Sequence, residues 1–200
     1  MVLRTLILAA LALGPGTQQL GRSYDGRPIA ATHLPGDGPR ILVVGCIHGD
    51  EYEGVKVTRL LEHSTSGADL WLVHQLNPDG YAHGTRTNAH GVDLNRDFLA
   101  ATQRETRIAR TLILRLRPDV TLWFHQPQGL VRAWGASRAV ARRYARLAGV
   151  RYRSLAWPPG SASRWQNGIG QRSFVVELPP GRLAPAAAAR YARAVLRLAE

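Results

Sequence analysis

The stretch Ile41-Leu42-Val43-Val44-Gly45-Cys46-Ile47-His48-Gly49-Asp50-Glu51 decides the fold. Ile41 to Ile47 is a near-continuous apolar run, the pattern of a strand buried on both faces of a largely parallel sheet. His48 and Glu51 follow it, three residues apart in the turn that leaves the strand, where an imidazole and a carboxylate can face one point. Catalytic zinc sites are assembled from such groups. The third ligand has one good candidate, His125, which ends a second strongly apolar strand, Val120-Thr121-Leu122-Trp123-Phe124. Two imidazoles and one carboxylate leave a tetrahedral ion one open position, so the pattern predicts a catalytic centre with one zinc ion per chain. The plainer alternative has His48 closing a strand, Glu51 opening a helix near its positive end, and His125 as a satisfied core histidine.

Outward from that stretch, apolar strands alternate with helical patterns. Ser23 to Pro28 is turn chemistry leading into a strand over Ile29 to Leu34, and Pro35 to Pro39 makes the next turn. Glu51 to His63 has helical spacing and Leu70 to Leu76 reads as a strand, closed by Asn77-Pro78-Asp79-Gly80. Tyr81 to Asp97 has no period and reads as a long loop of the functional kind. Thr102 to Leu116 and Ser137 to Leu147 are predicted helices, Ser173 to Leu178 a last strand, and Ala184 to Leu198 a closing helix. The predicted fold class is α/β, with a mixed, mostly parallel sheet flanked by helices on both faces. In such sheets ligands bind beyond the carboxyl ends of the strands, where His48, His125 and Glu177 fall.

Length and charge set limits. A chain of 200 residues with 45% hydrophobic content fits one domain with a sizeable core. The net charge is +12, and because Lys56 is the only lysine among 26 basic residues, 25 are arginine. They are scattered rather than gathered into a stripe with stacking aromatics, which argues against a nucleic-acid partner and leaves an anionic surface such as a cell wall as a neighbour. Residues 1–16 read as a short export signal, with Arg4, the apolar run Leu6 to Leu13 and small residues before Thr17, so a catalytic domain over 17–200 is expected. The run is too short to span a bilayer, so no stable membrane insertion is expected. With the signal genuine, the protein is secreted, periplasmic or cell-wall associated; without it, cytoplasmic. The single Cys46 reads as a small buried apolar residue.

The loop Gly84 to Phe98 carries the run Gly91-Val92-Asp93-Leu94-Asn95-Arg96-Asp97-Phe98. Taken in order with His48-Gly49-Asp50-Glu51, His125-Gln126-Pro127 and Val175-Val176-Glu177-Leu178-Pro179, it resembles the zinc metallocarboxypeptidases, carboxypeptidase A-like, and among them the murein peptide amidase branch. The resemblance implies zinc held by His48, Glu51 and His125, and Glu177 as the base that takes a proton from water and delivers it to the leaving amine. It implies Arg86 on the oxyanion of the tetrahedral intermediate, and Asn95 with Arg96 on the substrate's terminal carboxylate. Asp93 matches the carboxylate that orients a metal-bound imidazole. A carboxylate closing an apolar strand, as Glu177 does, asks for such an explanation, because burial without a partner is costly.

Two departures stand out. The chain is shorter than many family members, and the family's substrate-covering tyrosine has no clear match between Val150 and Gly160, where Tyr152 and Trp157 are the available rings. Gly160 to Gly168 resembles the family's pocket loop, with Trp165 there either packing or touching substrate. From Val120 to Val176 there is no Asp or Glu, which argues against a basic terminal side chain, while Arg132, Arg164 and Arg172 are candidates to meet a second carboxylate. The expected activity is hydrolysis of a C-terminal peptide or amide bond, on a cell-wall (murein) peptide at its γ-D-glutamyl-diaminopimelate bond. The alternatives are a zinc-dependent N-acyl amino acid deacylase of the succinylglutamate desuccinylase/aspartoacylase kind, and an inactive cell-wall-binding relative.

Overall fold

Eight strands form one sheet in the order β1-β2-β4-β3-β5-β8-β6-β7, in a computed structural model that describes residues 14–65 and 67–200. The strands are β1 (Gly16–Arg22), β2 (Pro28–Leu34), β3 (Arg40–Val44), β4 (Asp69–Val73), β5 (Val120–His125), β6 (Leu130–Ala133), β7 (Arg151–Ser154) and β8 (Ser173–Glu177). The middle four, β4-β3-β5-β8, run parallel. On one flank β2 lies antiparallel to β4 and β1 antiparallel to β2; on the other, β6 is antiparallel to β8 and parallel to β7. This is the mixed α/β class that the alternation of strands and helices predicts. The expected leader, 1–16, lies almost wholly outside the described residues.

Among the described residues there are six α-helices: α1 (Gly54–Glu62), α2 (Pro78–His83), α3 (Arg104–Leu116), α4 (Arg138–Ala148), α5 (Ala162–Gly168) and α6 (Pro185–Leu196). Alternation along β5 assigns the faces. Phe124 points toward α6, meeting Tyr191 edge to face at 6.4 Å, and Trp123 points the other way, where its indole donates to Gln166 of α5 and Ser173 at 3.1 and 3.0 Å. On the first face Tyr144 of α4 packs against Phe174 and donates to the Tyr191 carbonyl. Each of these fully buried rings stabilises the fold by about 2–3 kcal/mol, against about 0–1 kcal/mol for an exposed ion pair. The sheet's two apolar faces therefore dominate stability.

Several elements lack a sequence signal of their own. β1 is half exposed and polar (GTQQLGR), while β6 and β7 have four residues each, too few for a period to show. β7 carries arginines along a sheet edge, a common way of keeping an edge from pairing with another chain. β3 ends at Val44, three residues short of the apolar run, yet Gly45 and Cys46 remain tied to the next connection through Gly45 N to Val73 O and Leu76 N to Cys46 O. Helix α1 starts at Gly54, which leaves Glu51 in the turn ahead of it rather than in its first turn.

The stretch read as turn and loop contains a short helix, α2. Asn77 caps it by accepting from the Gly80 amide at 2.9 Å, Pro78 takes the first position, and Gly84 ends it with φ +65°. Two contacts fix this helix. Gly49 lies so close to the backbone of Gly80 and Tyr81 that a methyl group at position 49 would overlap both. Asp79, fully buried, accepts from the Ser23 hydroxyl at 2.7 Å, the Asp25 amide at 3.2 Å and the Arg27 guanidinium at 2.8 Å, joining the β1–β2 turn to α2.

Burial alone would raise the Asp79 pKa, but the hydrogen bonds from Ser23 and Arg27 outweigh it and hold the carboxyl below its ordinary value. A depressed folded-state pKa contributes stability that is present above the unfolded-state value, about 3.9, and that disappears as pH falls through the folded one. Asp79→Ala should therefore cost about 2 kcal/mol at neutral pH. Chemical denaturation across pH checks this: the gap between wild type and variant should narrow below about pH 4, and a gap independent of pH would contradict the assignment.

Candidate metal centre

The ends of the parallel strands bring together what the sequence separates. His125 closes β5 and Glu177 closes β8, directly paired in register, while His48 and Glu51 leave the end of β3 on the other side of β5. Glu51 Oε2 lies 2.8 Å from His125 Nδ1 and 3.0 Å from His48 Nδ1, and the two ring nitrogens are 3.2 Å apart. One ligand atom from each of the three residues lies within 4.8 Å of the others. Metal–ligand bonds of about 2.0–2.2 Å in a tetrahedron set ligand atoms roughly 3.3 Å apart. The donor set and its spacing fit a small divalent cation. Among the described residues this is the one group of three or more His, Cys, Asp and Glu with metal-binding spacing.

The surrounding bonds orient these groups. His48, almost fully buried, uses Nε2 on Asp93 Oδ1 at 3.0 Å, leaving Nδ1 for the centre, the usual support for a metal-binding imidazole. Asp93 also accepts from the Asn95 amide at 2.8 Å, starting a 3-10 turn over Leu94–Arg96, and from Arg86 Nε at 3.1 Å. Arg86 reaches across to Glu51 Oε1 at 2.6 Å. The loop before this turn is held by Asn88, whose side-chain oxygen accepts from the His90 and Val92 amides at 3.1 Å each. The backbone amide of Gln126 donates to Glu51 Oε2 at 3.1 Å, and its side chain ties to Pro179 and Gly181 on the far side.

Electrostatics follow from burial and pairing. Burial opposes a charged Glu51, but bonds to His125 and His48 override it and hold this carboxyl far below its ordinary range. Burial likewise disfavours a charged His48, yet the carboxylates of Asp93 and Glu51 on its two nitrogens raise its pKa. In His125, which is buried, burial wins and the pKa falls, favouring the neutral ring. A neutral imidazole and an ionised carboxylate are the ligand forms a cation needs, and a proton on His48 Nδ1 is what it would displace.

A cleft of ≈ 240 Å³ opens beside the three ligands, lined among others by Arg86, Asn95, Arg96, Gln128, Arg132, Trp157 and Glu177. Glu177 accepts from Gln128 Nε2 at 3.3 Å through Oε1, whereas Oε2 is buried with no protein partner. Burial raises the Glu177 pKa, and the negative charge of Glu51 adds to the shift. Asn95 gives its side-chain oxygen to the Ala162 amide at the start of α5, 3.0 Å away, which leaves its NH2 group as the free donor. Arg96 stays exposed, with one nitrogen on the Asn95 carbonyl at 2.9 Å.

All seven of the residues His48, Glu51, Arg86, Asn95, Arg96, His125 and Glu177 line this one cleft. The three arginines considered for a second carboxylate separate. Arg132 lines the cleft, but Arg164 is an exposed residue of α5 outside it, and Arg172 sits just ahead of β8, at the opposite end of the sheet, on the Asp119 carbonyl. Helical geometry turns Arg164 outward, and strand direction carries Arg172 away from the carboxyl ends. Trp165 packs between Phe98 and Arg110. Of the two rings weighed near Val150 to Gly160, Trp157 lines the cleft and Tyr152 lies on β7 under Arg142. Gln128, Ser161 and Ser163 carried no signal, except that Ser161 precedes a helix that its hydroxyl caps.

Residues 37–119 match the family described as the succinylglutamate desuccinylase/aspartoacylase catalytic domain, a span that holds His48, Glu51 and Arg86 but stops short of His125. The chain is similar to murein peptide amidase A of Escherichia coli K12, with 28% identity and 84% of each chain covered. It superposes on the crystal structure of murein-tripeptide amidase from Escherichia coli O157 with a TM-score of 0.77 and 25% identity, covering 94% of this chain and 92% of that one. The carboxypeptidase A of Helicoverpa armigera shares the fold, with a TM-score of 0.75 at 17% identity over 92% of this chain and 68% of that one. Agreement over nearly the whole chain, in sequence order as well as in fold, makes this chain similar to the murein peptide amidases, with the fold of the metallocarboxypeptidases, and supports a hydrolase.

Proposed function

We propose that the chain is a zinc-dependent carboxypeptidase that removes the C-terminal residue of a murein peptide by hydrolysing its γ-D-glutamyl-diaminopimelate bond. The observation that carries this reading is the convergence of His48, Glu51 and His125 on one point beside Glu177. Zinc, when bound there, supplies the Lewis acidity that polarises the scissile carbonyl and acidifies water. Glu177 is the base: its unpartnered Oε2 is free to take a proton from the attacking water and hand it to the leaving amine. Arg86 brings a fixed positive charge to the developing oxyanion, a role suited to a group anchored on Glu51 and Asp93. The Asn95 amide and the Arg96 guanidinium hold the terminal carboxylate, so that only a chain end fits. The export reading of residues 1–16 extends the proposal to a periplasmic or secreted enzyme, where murein is found.

A deacylase reading has one observation in its favour, the match of residues 37–119 to the succinylglutamate desuccinylase/aspartoacylase domain. Turnover of murein tripeptide measured beside N-succinyl and N-acetyl amino acids separates the two. Release of diaminopimelate with no action on the acyl amino acids supports the peptidase, and the reverse replaces it.

Glu177→Gln should retain bound metal, measured by elemental analysis, while kcat falls by about 10²–10⁴; a variant as active as wild type overturns the base assignment. Dialysis against a chelator should abolish turnover and added zinc restore it, whereas His125→Ala, lacking one of three ligands, should bind metal weakly and stay inactive at the same zinc concentration.

A further inference from the structure

Away from Glu51, the cleft holds donors without acceptors. Arg132 on β6 stands opposite Val175 of β8, and Leu130, two residues earlier, stands opposite Glu177. Diagonal neighbours on an antiparallel pair share a face and lie about 7–8 Å apart, so the Arg132 side chain shares the face of Glu177 one strand step away, and both line the cleft. Its Nη2 donates to the Ala156 carbonyl at 2.9 Å, and the Trp157 ring centroid is 5.9 Å from Cζ. Nε of Arg132 is buried without an acceptor, and so is the indole Nε1 of Trp157, which lines the same cleft. No carboxylate among the described residues forms an ion pair with Arg132. None is supplied by the neighbouring sequence either, which has no Asp or Glu from Val120 to Val176. Buried donors without acceptors are rare because each costs free energy, and a ligand rich in acceptor oxygens relieves them.

Resting on the carboxypeptidase reading, we propose that Arg132 is a specificity-determining residue that receives a second carboxylate, one carried by the side chain of the substrate's C-terminal residue. The terminal carboxylate occupies Asn95 and Arg96, and the side-chain carboxylate takes the Nε edge of Arg132 with the Trp157 indole beside it. Glutamate and diaminopimelate both carry such a group. A lysine side chain meets like charge there, and glutamine offers one carbonyl oxygen where two acceptors fit.

Calorimetric binding of L-glutamate, L-glutamine and L-lysine to the purified protein tests this, alongside hydrolysis of blocked peptides that differ only in those terminal residues. Glutamate should bind about tenfold tighter than glutamine, with lysine weakest, and among peptides the difference should lie in KM. Arg132→Gln should bring glutamate and glutamine close to parity by weakening glutamate binding far more than glutamine binding, and Arg132→Lys, which keeps the charge, should retain part of the preference. Equal binding of glutamate and glutamine by wild type, or a preference that survives in Arg132→Gln, overturns the proposal, as does a variant that loses all three ligands alike. If no peptide is cleaved but the glutamate preference and its loss in Arg132→Gln are seen, the carboxypeptidase reading fails and the anionic site stands.

Discussion

One carboxylate holds the centre together. Glu51 receives two imidazoles, the Gln126 amide and the Arg86 guanidinium, and so joins segments that the sheet alone would leave at arm's length. Its charge survives burial because of those partners, and it is the one group on which all four converge. A site of this kind is all or nothing: a neutral side chain at position 51 would strand His48 between one remaining carboxylate and a second histidine, with no anion at the point where all three meet.

The fold was legible where burial imposes a pattern. β3, β5 and β8 are apolar on both faces and announce themselves as inner parallel strands, and α3 shows its stripe of Ile108, Leu112 and Leu116. β1, β6 and β7 were not, because an exposed polar strand or a four-residue strand leaves too little hydrophobic contrast to read. Helix α2 and the short α5 escaped for the same reason, although their caps, Asn77 with Pro78 and Ser161, are visible in the sequence once looked for.

The site divides along similar lines. His48, Glu51, His125 and Glu177 stand at ends of apolar strands, where polar groups are conspicuous. Arg86, Asn95 and Arg96 sit in a loop without periodicity, and in a chain with 25 arginines among 26 basic residues, one of them Lys56, their charge alone distinguishes nothing. That Arg132 faces the cleft while Arg164 and Arg172 do not depends on strand register and helix phase, which residue type does not encode.

The contact between Gly49 and Gly80 has an evolutionary side. The turn bearing His48 and Glu51 rests on α2 through bare main chain, with no room for even a methyl group at either position. A tight limit on mutational drift near the centre thus falls on two residues with no reactive atoms at all. A survey of tolerated variation that looked only for groups able to bind, donate or attack would pass over both, although a single added carbon at Gly49 pries the turn off its support.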